Sequence, residues 1–178
     1  MTVKGRTISE YVRLAISDVI NIFSNLELTD REYLVSGRII REILERLRFL
    51  DDVGVGYLSL DRSAATLSGG EGQRIRLATQ IGAKLVGVLY VLDEPSVGLH
   101  ASDVARLIGV LGNFADNGNT VVIIEHHPDI IKVADHIIDL GPEGGIDGGH
   151  IIAYGTPEEV AAVTKSYTGQ LLRGLLAS

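Results

Sequence analysis

Two stretches of this chain decide its fold: Leu67-Ser68-Gly69-Gly70-Glu71-Gly72-Gln73-Arg74, and further along Leu89-Tyr90-Val91-Leu92-Asp93-Glu94-Pro95. In the first stretch a serine and two glycines precede a helical pattern, so free backbone N–H groups and the positive end of the helix dipole lie at that point. In the second, an apolar strand ends in two adjacent carboxylates. Together the two stretches predict a place that holds a phosphate and a place that holds a metal ion and a water molecule.

The composition favours one α/β domain, with or without a small helical addition. The chain has 178 residues, of which 46% are hydrophobic, 5% are aromatic and 21 are glycine. An aliphatic core interrupted by glycines suits an α/β fold better than a barrel or a sandwich. The net charge of -7 argues against binding nucleic acid through bulk charge, and the lack of cysteine excludes disulfides and thiolate zinc sites. No apolar run has the length of a membrane span, so we expect a cytoplasmic protein with no membrane partner.

Residues 1–60 form a predicted helical segment separate from the rest of the chain. Thr7-x-x-Glu10 and Thr29-x-x-Glu32 are capping boxes that predict the starts of two helices. The first helix has Val12, Ile16, Val19, Ile20 and Phe23 on one face. The apolar stripe of the second consists of Ile40, Ile43, Leu44, Leu47 and Leu50.

Residues 61–178 alternate between strand and helix patterns. Strands are predicted at 88–92, 120–124, 136–140 and 150–154, and helices begin after Ser68, at Ser102 or Asp103, at Pro128 and after Thr156. The helix after Ser68 has a predicted inner face of Ile75, Ala78, Ile81 and Leu85, with Arg74, Arg76 and Lys84 expected on its solvated face. The alternation predicts a parallel sheet with flanking helices, in which strand 88–92 is covered on both faces.

The candidate chemical groups lie at the ends of two predicted strands. Asp93 can hold Mg²⁺ directly or through water, and Glu94 can orient or deprotonate an attacking water. His126 comes after strand 120–124 and can donate a hydrogen bond to a phosphate. Two solvated charges at a strand end, and a simple loop with an N-cap at Ser68, are the structural alternatives.

In their order and spacing these segments resemble four motifs of the ATP-binding cassette (ABC) ATPases. Residues 67–73 look like the ABC signature, 89–95 like the Walker B strand, 96–100 like the D-loop, and Glu125-His126 like the switch histidine. Within that superfamily, the sequences of residues 61–71, 87–100 and 134–145 resemble the UvrA family, the damage-recognition ATPases of the bacterial excinuclease. The resemblance covers nearly the whole chain. It implies a partial P-loop NTPase fold, with residues 1–60 as part of a signature domain and 61–178 as the C-terminal portion of a cassette.

The resemblance also implies two separable roles at ATP sites, because ABC ATPases hold ATP between two cassettes. The residues that would bind ATP in trans are Ser68, Gly69, Gly70 and Gln73, and those that would act in cis are Asp93 with Mg²⁺, Glu94 and His126. No G-x-x-x-x-G-K-[ST] loop occurs in the 178 residues. We therefore expect a second ABC cassette or UvrA-like subunit to supply this Walker A loop, and no ATP hydrolysis by the chain alone.

The implied wider partners are a UvrB-like excinuclease protein and DNA, reached through the full assembly. UvrA proteins have two cassettes and zinc-binding cysteines, so this chain resembles a compact or split relative, or a fragment. Three functions compete: DNA damage recognition in nucleotide excision repair, a UvrA-like drug-resistance ATPase, and a non-catalytic dimerisation module or truncated remnant. Without the strand that normally precedes the phosphate-cradling loop, apolar surface on Val91, Ile123 and their neighbours is expected to stay partly uncovered and to promote self-association.

Overall fold

The computed structural model describes residues 2–81, 86–143 and 148–177. The chain divides into two compact units, residues 1–123 and residues 124–178. The boundary that the sequence motifs place at residue 60, between a signature-domain segment and the cassette portion, stays a prediction.

The first unit begins with a short hairpin that the sequence analysis missed. Strands β1 (Thr2–Val3) and β2 (Arg6–Thr7) pair antiparallel, and Lys4 and Gly5 form the turn with φ of 46° and 84°. Strands of two residues carry no periodicity, so no hydrophobic pattern could reveal them.

Three helices come after the hairpin: α1 (Ile8–Val12), α2 (Ile16–Ser24) and α3 (Asp30–Asp52). Both predicted capping boxes are confirmed, since Thr7 caps α1 with Glu10 and Thr29 caps α3 with Glu32. The first predicted helix is interrupted after Val12, so its apolar face belongs to two helices and not to one. In α3 the predicted stripe is buried or half-buried, and Leu47 is its most buried member.

Helix α3 is the centre of the packing in this unit. It contacts α2, α4 (Gly69–Ile81) and α5 (Ala101–Asp116), and a short 3₁₀ helix (Ala64–Thr66) precedes α4. Arg106 on α5 pairs with Asp51 on α3 at 2.7 Å. On the predicted inner face of α4, Ala78 is buried, whereas Leu85 and the side chain of Ile81 lie outside the described residues.

Strands β3 (Leu89–Asp93) and β4 (Thr120–Ile124) are hydrogen-bonded neighbours in a small parallel sheet, and α5 connects them. Tyr90 packs its ring against Phe114 of α5 with centroids 4.5 Å apart, and Leu92 is buried. Successive side chains of a strand point to opposite faces, and Leu89 and Val91 on the other face are 61% and 62% exposed. The strand expected to be covered on both faces is therefore covered on one.

In its described residues, the second unit has two complete strands and three helices. In chain order these are α6 (Pro128–Ile131), β5 (Ile137–Gly141), β6 (His150–Gly155), α7 (Pro157–Ala162) and α8 (Tyr167–Leu176). β5 and β6 pair antiparallel, which corrects the expectation of a parallel sheet throughout. The connection between them is too short for the crossover that parallel pairing requires.

The core of the second unit lies between its hairpin and its last two helices. It consists of Ala153, Val160, Ala161 and Leu172. The predicted capping box at Thr156, with Pro157 in the first turn of α7, is confirmed. None of the helices within the described residues combines the length and the apolar character needed to span a bilayer.

Candidate functional site

The serine–glycine turn at the start of α4 is open to solvent. Ser68 and Gly69 are exposed, and a Cβ added to Gly69 would meet no atom within 4 Å. The hydroxyl oxygen of Ser68 accepts a hydrogen bond from the backbone N–H of Glu71 at 3.3 Å, as an N-cap residue does. This turn therefore presents glycine backbone at a helix N-terminus, where the chain itself leaves room for another molecule.

The buried side chain of Glu71 holds that turn in place through hydrogen bonds. Its carboxylate accepts hydrogen bonds from the hydroxyl of Tyr57 at 2.5 Å and from the backbone N–H of Ser68 at 2.7 Å, and the residue is 7% exposed. These donors, Tyr57 first among them, lower the pKa of Glu71 to about 2. The Ser-x-x-Glu spacing of a capping box was available in the sequence. The contribution of Tyr57 was not, because it comes from a separate loop.

The two predicted carboxylates lie together at the carboxyl end of β3. Asp93 is the last residue of the strand, and both Asp93 and Glu94 are exposed. Glu94 has a φ of 44°, in the left-handed region that non-glycine residues rarely adopt. A hydrogen bond of 3.1 Å from the N–H of Val97 to the carbonyl of Glu94 closes the turn, and Pro95 inside it is fully buried.

Gln73 joins helix α4 to the end of β3. With its amide oriented to match the partners, Nε2 donates to the carbonyl of Asp93 at 3.0 Å and Oε1 accepts from the N–H of Asp93 at 2.9 Å. The structure thus pairs Gln73 with the backbone beside the predicted metal ligand. Its predicted contact with ATP in trans stays a prediction.

Arg74 is placed differently from the sequence expectation. It is 3% exposed, and its Nη1 donates to the carbonyls of Pro95 at 3.3 Å and Val97 at 3.1 Å. The prediction of a solvated arginine is wrong for Arg74, because the helix turns it towards the loop after β3. Arg76 is exposed as expected, and Lys84 lies outside the described residues.

His126 belongs to the second unit and is exposed. The backbone N–H groups of His126 and His127 both donate to one carboxylate oxygen of Glu125, at 2.7 and 2.9 Å. His127 is the N-cap of α6, with its Nδ1 accepting from the N–H of Asp129. The two adjacent histidines therefore have different surroundings, and the phosphate-contacting role of His126 stays a prediction.

The exposed carboxylate of Asp93 suits magnesium that is held mainly by water and substrate phosphates. Within residues 2–81, 86–143 and 148–177, no group of three or more His, Asp or Glu side chains could hold a metal ion by itself. Magnesium in phosphate-transfer sites is commonly held by one or two carboxylates, with water and substrate phosphates completing the shell. An exposed carboxylate at the end of a strand fits that mode of binding.

The fold, with a glycine turn at a helix N-terminus tied to a strand that ends in Asp-Glu, agrees with the class that the motifs predict, part of an ABC-type ATPase cassette. No family model matches the chain. UvrABC system protein A of Bacillus subtilis (strain 168) is 52% identical over 172 residues, which cover 97% of this chain and 18% of that protein. The same protein of Treponema pallidum (strain Nichols) is 51% identical over 176 residues, 99% of this chain and 18% of the relative.

A solved structure agrees with these relatives. The crystal structure of UvrA2 from Deinococcus radiodurans matches with a TM-score of 0.86 and 39% identity, over 97% of this chain and 23% of that one. The chain belongs to the UvrA family, as its motifs predict, since over nearly its whole length it has the sequence and fold of a segment of that family. It spans about a fifth of the length of these two curated relatives.

Proposed function

We propose that this chain supplies part of the ATP-hydrolysing centre of a UvrA-type protein that recognises DNA damage in nucleotide excision repair. One observation carries the proposal: in a chain 52% identical to a UvrABC system protein A, an exposed glycine turn and an exposed Asp93–Glu94 pair are tied together in one unit. A purely structural pair of charges would not need such a connection to the start of a helix.

The glycine turn serves an ATP molecule held by another cassette. The N–H groups of Gly69 and Gly70 lie at a helix N-terminus, where an anionic γ-phosphate is stabilised, whereas the N–H of Ser68 is paired with the Glu71 carboxylate. The oxygen of Ser68 accepts from the N–H of Glu71, and its O–H donates to a phosphate oxygen once it turns away from the Glu71 carboxylate. Gln73 reaches ATP in trans only if its amide leaves Asp93, so we assign its first role to the link with β3.

The strand end serves a second ATP, held in cis. Asp93 holds Mg²⁺ directly or through water, and bound Mg²⁺ neutralises charge on the phosphates. Glu94 orients the attacking water and accepts its proton. The family resemblance assigns His126 a hydrogen bond to a γ-phosphate. The phosphate-cradling loop that this centre needs does not occur in the 178 residues, so residues outside them supply it, in another part of a UvrA-type cassette, a second ABC cassette or a UvrA-like subunit.

The remaining assignments come from the same relationship. A UvrB-like protein and DNA bind the full assembly. The net charge of -7 disfavours DNA binding by this chain through overall charge, so we assign the DNA contacts to other parts of the assembly. We place the assembly in the cytoplasm.

The proposal is tested by reconstituting ATP hydrolysis. The chain is mixed with a polypeptide that carries the N-terminal strand, loop and lysine of a UvrA-type cassette, and phosphate release is measured with Mg²⁺ and ATP. We expect turnover only in the mixture. Glu94→Gln should lower kcat by about 10²–10⁴-fold while ATP binding persists, because it removes the proton acceptor and keeps the shape.

Glu45→Gln is the matched control, since Glu45 is a carboxylate on α3 far along the sequence from both motifs. It should leave turnover unchanged. Hydrolysis by the purified chain alone, or equal losses in the two variants, would contradict the proposal.

A further inference from the structure

Glu94 has an unfavourable backbone conformation that its own turn does not explain. A non-glycine residue at a φ of 44° is disfavoured, and such conformations persist only where surrounding contacts impose them. The bond from Val97 N–H to the Glu94 carbonyl closes the turn, but turns of this kind form with ordinary φ values as well. The residues on both sides of Glu94 are held by side chains of helix α4.

On its N-terminal side, Glu94 is preceded by a residue whose backbone is held by Gln73. Both polar groups of the Asp93 peptide backbone are paired with the one side-chain amide, at 3.0 and 2.9 Å. A primary amide that pairs with both the N–H and the C=O of one residue fixes the orientation as well as the position of that residue. Asp93 therefore cannot rotate to relieve Glu94 without breaking two hydrogen bonds.

On its C-terminal side, Glu94 is succeeded by residues held by Arg74. One guanidinium nitrogen contacts the carbonyls of Pro95 and Val97, and the side chain is 3% exposed. Its Nε has no hydrogen-bond partner within the described part of the chain. A buried guanidinium with one unsatisfied N–H is a poor device for stability alone, since an apolar side chain of similar volume commonly serves a fold equally well.

We propose that Gln73 and Arg74 are positioning residues, which hold Glu94 in its left-handed conformation by clamping the backbone on both of its sides. The inference rests on the proposed function, in which Glu94 is the proton acceptor. Because both clamp residues lie in the first turns of α4, the glycine turn and Glu94 move as one body. A phosphate bound at the glycine turn therefore stabilises the catalytic conformation of Glu94, and the coupling is reciprocal.

The clamp itself is tested on the full 178-residue chain, without a partner, by amide hydrogen exchange. Arg74→Met removes both carbonyl contacts, so the amides of Val97 and Leu99 should exchange about tenfold faster or more. Arg76→Met is the matched control, because Arg76 is an exposed arginine on the same helix. It should leave these amides unchanged.

A second substitution shows whether the clamp acts through Glu94. Glycine adopts the left-handed region freely, so in a Glu94→Gly background the Arg74→Met change should accelerate exchange much less than in the wild-type background. Equal acceleration in both backgrounds would overturn the proposal. If Arg74→Met does not fold, Gln73→Leu removes the Asp93 side of the clamp and is read in the same way.

The rate of ATP hydrolysis then distinguishes a positioning role of Arg74 from a purely structural one. In the reconstituted mixture, Arg74→Met should lower kcat by about 10- to 100-fold with KM for ATP little changed, and Arg74→Lys should recover part of the loss. A rise in KM with kcat unchanged would overturn the inference. A wild-type mixture without turnover would overturn the proposed function instead, while the exchange experiment would still decide whether the clamp exists.

Discussion

The bond between Tyr57 and Glu71 gives a prediction whose size can be worked out. A pKa lowered from 4.5 to about 2 corresponds to about 3 kcal/mol in favour of the ionised form in the folded state. Three hydrogen bonds share this stabilisation: one from the Tyr57 hydroxyl, which contributes most, and two from the backbone and side chain of Ser68. Because Tyr57 is 62% exposed, we expect Tyr57→Phe to cost about 1 kcal/mol of unfolding free energy at pH 7.

The same bond predicts how the difference depends on pH. A carboxylate with a depressed folded-state pKa stabilises the fold fully above its unfolded value of 4.5, and this stabilisation is lost as the pH falls towards about 2. The difference between wild type and Tyr57→Phe should therefore stay constant from about pH 8 to about pH 4 and narrow at lower pH. Urea unfolding over this pH range measures it.

Tyr33→Phe is the control, since the Tyr33 side chain is 57% exposed and lies in the same unit. It should change stability by less than about 0.3 kcal/mol. The carboxyl carbon of Glu71, monitored by NMR, should titrate well below about pH 4 in the wild type and at a higher pH in Tyr57→Phe. A wild-type midpoint near 4.5, the ordinary value, or equal stability of Tyr57→Phe and wild type at about pH 7, would refute the reasoning.

Two further predictions concern the sheet and the core of the first unit. Leu89 and Val91 form an exposed apolar face on β3, so the purified chain should self-associate as its concentration rises. In analytical ultracentrifugation, Val91→Lys should reduce this self-association. Val86→Lys is the control, because Val86 is exposed and lies outside the strand, and it should leave the self-association unchanged. A monodisperse monomer at high concentration would contradict the first of these. Leu107 on α5 is fully buried, so Leu107→Ala should lower the unfolding free energy by about 2–5 kcal/mol in urea titrations, and a loss below about 1 kcal/mol would show that the site collapses around the smaller side chain.

Local features of the fold were predictable because their causes lie within a few residues. A capping box pairs residues three apart, so Thr7, Thr29 and Thr156 marked helix starts that the structure confirms. The strand at 120–124 has the bounds that its sequence predicts, since a short apolar run between turn residues is a sufficient signal. The antiparallel pairing of β5 with β6 was missed because the prediction used the strand patterns and not the length of the connection, which is too short for a parallel crossover.

In the candidate site as well, some features were predictable from the sequence and others were not. The amino-acid sequence by itself determined that a glycine turn opens a helix and that Asp93 and Glu94 end a strand, because composition and spacing along the chain are enough for both. Only the tertiary structure decided that Arg74 is buried, that Gln73 pairs with Asp93, and that Glu94 takes a left-handed backbone. The first two depend on contacts between residues roughly twenty positions apart, which exist only after helix and strand have packed together, and the third is a backbone conformation that no sequence pattern marks.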